Sequence, residues 1–158
     1  MKRHMISLTM SFLTVVIILL PASVFGQSIS GVTGAGAAAF PTNTSFSGVS
    51  VSGLQFGMGV FTPGDTTAAG QFEGRLSGTS ALGQPQNIEI EGDAAGGAIN
   101  TDGSRTFSGT ATVDMGDGSP PLTAVPFTIR ASANTLLVTV GINNLPLASL
   151  TAGSITID

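Results

Sequence analysis

The chain contains no cysteine, tryptophan or tyrosine, and its single lysine and single histidine, Lys2 and His4, both stand at its very start. Each absence removes a class of chemistry. Without cysteine there is no disulfide staple, no thiolate nucleophile, no thiolate metal ligand and no lipidated cysteine to anchor the chain. The opening residues read as a secretory leader: Lys2 and Arg3 give a positive start, and a largely apolar stretch follows from Met5 to Leu20. Pro21 and small residues come next, with Val24 and Gly26 where a signal peptidase reads, which places cleavage before Gln27. That apolar stretch is interrupted by hydroxyls and is short for a hydrocarbon core of roughly 30 Å. No second apolar segment follows, so no membrane span is expected in the mature chain, residues 27–158.

With the leader removed, the mature chain has neither lysine nor histidine. Its cations are Arg75, Arg105 and Arg130, set against Asp65, Glu73, Glu89, Glu91, Asp93, Asp102, Asp114, Asp117 and Asp158, three positive against nine negative for a net charge of −6. Nucleic acid is excluded as a partner by that balance, because affinity for phosphate backbones comes from Lys and Arg. Ser-His-Asp, Cys-His and Ser-Lys catalysis are excluded in the same way, as are His-ligated zinc, copper and iron sites. Carboxylates, hydroxyls, amides and three guanidinium groups remain.

What is plentiful is glycine, 22 residues spread along the chain, together with β-formers in short runs. Apolar and polar residues alternate with a period of two in TFSGTATVD (106–114), VPFTIRA (125–131), NIEIEGD (87–93), TLLVTVGI (135–142) and SITID (154–158). Leu136, Val138, Val140 and Ile142 share one face, as do Phe107, Gly109, Ala111 and Val113. Turn signals separate these runs: TPGD (62–65), LGQPQN (82–87), TDGS (101–104), GDGSPP (116–121) and NNLP (143–146). GAGAAAF (34–40) fits either a flexible segment or a first strand whose small residues allow close packing. The pattern predicts one all-β domain over 27–158, an antiparallel β-sandwich, jelly-roll-like, of about eight or nine strands. Its seven phenylalanines, from Phe40 to Phe127, belong in the core.

The order of several motifs is similar to that of the small exported bacterial β domains called post-COAP domains. VTGAGAAAF near the mature start, LQFGMGVFTPGDTTAAGQFEGRL in the middle, RTFSGTATVD followed by PFTIRAS, and the closing LTAGSITID carry the resemblance. It spans most of the mature chain. The sequence departs from the pattern in having no aromatic after the opening glycines and in a longer VDMGDGSPPL hairpin. The resemblance implies fold and export, with no activity to carry over. DMGDGS also resembles the hairpin of polycystic-kidney-disease-type domains, but lacks their flanking tryptophan and tyrosines and is read as a shared turn.

Three carboxylates stand out. Glu89, Glu91 and Asp93 share strand parity, so three oxygen donors in a row are candidate ligands for Ca²⁺ in an extracellular setting. The alternative is a solvated strand face with Ile88 and Ile90 buried beneath, Asp93 opening a loop at DAAGG, and Arg75 or Arg105 neutralising the glutamates. Glu89 and Glu91 would lie about 6.5 Å apart, a separation glycosidases use, but a catalytic acid needs a cleft that raises its pKa. VDMGDGSPP (113–121) suits no EF-type calcium register, since glycine or proline falls where oxygen ligands belong, and Pro120-Pro121 forbids a phosphate-binding helix. It is expected to be a turn. The functional expectation is an exported, non-enzymatic module with a structural or interaction role at or outside the cell surface, extracellular or periplasmic, facing an unidentified surface partner. The alternative is a calcium-assisted small-ligand or carbohydrate-binding domain.

Overall fold

The structure, a computed structural model, describes residues 30–62 and 66–158. The leader and most of the TPGD turn lie outside the described residues. Ten strands follow one another: β1 (Ser30–Ala39), β2 (Ser45–Phe46), β3 (Val49–Thr62), β4 (Thr67–Thr79), β5 (Ile88–Ile99), β6 (Arg105–Asp114), β7 (Leu122–Ala131), β8 (Thr135–Val140), β9 (Asn143–Asn144) and β10 (Ala148–Ile157). All pair antiparallel, as the alternating runs predict, and hydrogen bonding links them into one sheet where a sandwich of two was expected. GAGAAAF is strand through Ala39, not flexible chain.

The pairings return on themselves through β1, which bonds β10 along one edge and β3 along the other. The eight long strands therefore form a closed circuit, β1–β3–β4–β5–β6–β7–β8–β10. Consecutive long strands are neighbours, so the connections are those of a meander and not the jelly-roll-like order expected from sequence, which would need Greek-key crossings. Inward positions of every long strand join one buried cluster, including Val32, Leu54, Val60, Leu76, Ile88 and Ile129. Phe72, Phe107 and Phe127 meet at its centre with ring centroids 6.3–6.4 Å apart, within the range where aromatic pairs attract. Their bulk is accommodated by glycine: Gly92 lies opposite Phe72, and a Cβ there would come within 2.8 Å of the Phe127 ring.

Three details depart from the sequence reading. Strand β8 stops at Val140, where Gly141 takes a positive φ of 59°, and Ile142 is 94% exposed instead of joining the apolar face. DAAGG is no loop, because β5 runs through it to Ile99, pairing with β6 across a register shift between Ala94 and Gly96. Six of the seven phenylalanines are buried, but Phe61 is 53% exposed at the end of β3.

The VDMGDGSPP stretch is the β6–β7 connection, as expected. Its carboxylates serve the turn: Asp114 Oδ1 accepts the Gly116 N–H at 2.8 Å, and Asp117 Oδ1 accepts both the N–H and the hydroxyl of Ser119, at 2.9 and 2.6 Å. Gly116 takes φ 66° with its Cα packed onto the Asn87 carbonyl, where any side chain would collide. No helix among the described residues is long and apolar enough to cross a membrane. The outward faces of β4 and β5 carry Glu73, Arg75, Glu89, Glu91 and Asp93.

Candidate functional site

Strand register decides what stands beside the candidate carboxylates. One outward row across five strand pairings reads Ala152, Ala37, Gln55, Arg75, Glu89, Asp114. The next reads Ser154, Ala35, Gly57, Glu73, Glu91, Thr112. Small side chains on β10, β1 and β3 thus lie beside longer charged ones on β4 and β5, and the step between them is a hollow of about 630 Å³. Its floor is Gly36, Ala37, Gly57, Gly74 and Ala152, and its polar side is Gln55, Glu73, Arg75, Glu89 and Glu91.

Glu89, Glu91 and Asp93 are all exposed on the outer face of β5, as their parity predicts. They are spaced along the strand by about 6.6 Å per two residues, which spreads their oxygens instead of gathering them about one point. Among the described residues no three acidic, histidine or cysteine side chains are placed to hold one metal ion. Gln71 Nε2 donates to Asp93 Oδ1 at 3.4 Å from the neighbouring strand. The expected neutralisation by Arg105 does not occur: that guanidinium donates to Ser30 Oγ at 2.8 and 3.1 Å and to the Asp158 main-chain oxygen at 2.7 Å, at another part of the sheet.

Cross-strand charge is poorly matched in the hollow. Glu73 stands directly opposite Glu91, and Glu89 lies between Arg75 and Asp114. Like charges in direct register destabilise a sheet, by the same roughly 0.2–1 kcal/mol that opposite charges there would contribute. The only ion pair among the described residues, Arg130 with Asp102, lies elsewhere. Gly57 and Gly59 occupy successive outward positions of β3, where a Cβ would meet nothing within 4 Å. Glycine in mid-strand costs about 0.5–1 kcal/mol relative to alanine, and no packing need accounts for it at these two positions.

A second, smaller hollow of about 280 Å³ adjoins the Arg130–Asp102 pair and the exposed Leu137 and Leu147. Arg130 Nη2 donates to Asp102 Oδ2 at 2.5 Å and its Nε to Ser104 Oγ at 2.9 Å, while that hydroxyl donates to Asp102 Oδ1 at 2.7 Å. The Ser104 hydroxyl and backbone N–H, with Arg130 behind them, hold the Asp102 carboxyl down from 3.8 to about 2. Asp117 is likewise held below its ordinary value by Ser119. Both aspartates serve local turns.

Sequence reasoning reached Glu89, Glu91 and Arg75 but missed Glu73. The parity of QFEGRL places Glu73 and Arg75 outward, yet only the register brings Glu73 opposite Glu91. Comparison with protein-family models, with curated proteins and with solved structures finds no match.

Proposed function

We propose that the chain is an exported, non-enzymatic module that acts by binding, at or outside the cell surface. The observation that carries this reading is the outward hollow: its cluster of polar side chains lies on an open sheet face, with Glu89 and Glu91 in solvent. A carboxylic acid that protonates a leaving group needs a cleft that shields it from water and positions substrate. An open face suits recognition. Export rests on the leader at residues 1–26, and the order of post-COAP-like motifs supports the same placement.

The test is chemical cross-linking on intact cells expressing the chain, combined with glycan-hydrolysis assays on the purified protein. The reading expects a discrete cross-linked species outside the cytoplasmic membrane and no turnover. Hydrolysis that disappears in Glu89→Gln or Glu91→Gln would contradict it. The second reading, Ca²⁺-assisted ligand binding through Glu89, Glu91 and Asp93, is favoured by the surplus of carboxylates along β5 and its neighbours. It predicts a thermal midpoint that rises with millimolar Ca²⁺ and returns with chelator. Indifference to both removes it.

A further inference from the structure

Several local rules are broken in one place. Two outward glycines leave bare backbone at mid-strand, one carboxylate pair stands in direct register, and a third glutamate lies beside them with one arginine among them. Natural sequences break local rules mainly at functional sites, and a strand glycine marks a bulge, a bend or a place where a ligand or another backbone approaches closely; the register shift between β3 and β4 lies at Val51–Gly53, away from Gly57 and Gly59. On the reading that the chain is a binding module, we propose that the hollow across β1, β3, β4 and β5 docks an extended segment of a protein partner bearing Lys or Arg.

Shape and charge both bear on the occupant. A space of about 630 Å³ floored by Gly57, Ala37 and Ala152 is far larger than an ion, and its apolar floor offers no ligand to a hard cation. From Ala152 on β10 to Glu89 on β5 there are four steps across neighbouring strands, about 19 Å, the reach of roughly six extended residues. In such a segment alternate side chains face one way, so Lys or Arg residues toward one end can reach Glu73, Glu89 and Glu91 on β4 and β5 while the rest of the backbone lies over Gly57 and Ala37. Opposite charge relieves the Glu73–Glu91 repulsion, and the exposed setting makes the attraction sensitive to salt.

The test uses a labelled six-residue peptide alternating Lys and Gly, with Ser-Gly and Glu-Gly peptides as controls, titrated by fluorescence anisotropy against the mature chain at low salt. Binding is expected for the lysine peptide alone. It should weaken at least about tenfold in Glu73→Gln/Glu91→Gln, but not in Asp102→Asn/Asp117→Asn, which changes net charge equally away from the hollow. The discriminating variant is Gly57→Leu, which fills the floor without altering charge and whose Cβ has open space around it. It should fold with an unchanged or higher thermal midpoint and lose binding. Retained binding in Gly57→Leu, or equal losses in the two double variants, overturns the docking site in favour of diffuse attraction. No binding by the wild-type chain overturns the proposal, leaving the binding role itself to the cross-linking experiment. A midpoint raised by Ca²⁺ alone and lost in Glu73→Gln/Glu91→Gln overturns the peptide in favour of the ion.

Discussion

Gly92 shows how single residues set this core. It is buried on β5 opposite Phe72 and beneath the ring of Phe127, which itself packs against Phe72 and Phe107. Gly92→Val is expected to lower stability by about 1–3 kcal/mol in denaturant titration, because the locked rings cannot make room. Asp102 is the residue whose titration the fold changes most plainly. Its folded pKa of about 2 lies below the ordinary 3.8, so the stabilisation it brings is complete above the unfolded value and is lost as pH falls through the folded one. Between pH 4 and 2, Asp102→Asn should remove part of the acid dependence of the thermal midpoint; an unchanged slope would contradict the Ser104 and Arg130 arrangement. The sequence marks Asp102 only as part of a TDGS turn signal. Its partner Arg130 is remote in sequence and stands on β7, so no local pattern announces the pair.

At the scale of the strand, alternation was readable and register was not. Face assignments from period two hold for β6, the inward side of β7 and the start of β5, since a one-residue slip would bury charge. The lengths were less visible: DAAGG resembles a loop in composition, but its small residues let β5 pass close to β6, where a Cβ on Gly109 would collide with the Asp93 carbonyl. TLLVTVGI fails the other way, because Gly141 ends the strand and turns Ile142 out. Irregularities carry their own predictions. Opposite Thr112, β7 holds an extra residue between Leu122 and Val125, and Ala124 takes a φ of 56° there. Left-handed backbone costs an L-residue about 1–2 kcal/mol, partly offset by the greater unfolded freedom of glycine, so Ala124→Gly should stabilise by about 0.5–1 kcal/mol and raise the thermal midpoint by a few degrees. A fall in midpoint would show that the bulge is held by the alanine methyl. The free side of β10 beyond Ser149 is bent by a similar device: Thr151 is skipped in the register with β1, and Gly153 takes φ 88°. Such bulges discourage edge-to-edge aggregation.

For the whole molecule, closure is the property no local pattern could disclose. Period two fixes an inside and an outside, but a sandwich and a closed circuit satisfy it equally; the deciding pairing joins residues near opposite ends of the sequence, Val32 with Ile157. Closure explains why a cysteine-free chain of this size can gather one continuous core, and why Glu73, Glu89 and Glu91 point outward and line the hollow along β4 and β5. Native-state amide hydrogen exchange on β1 tests this most directly. A strand bonded on both edges protects every amide, whereas an edge strand protects alternate ones. The structure predicts slow exchange at each residue from Val32 to Ala39, and slow exchange at only alternate residues of β10 after Leu150. Alternating fast and slow amides along β1 would contradict the closed circuit.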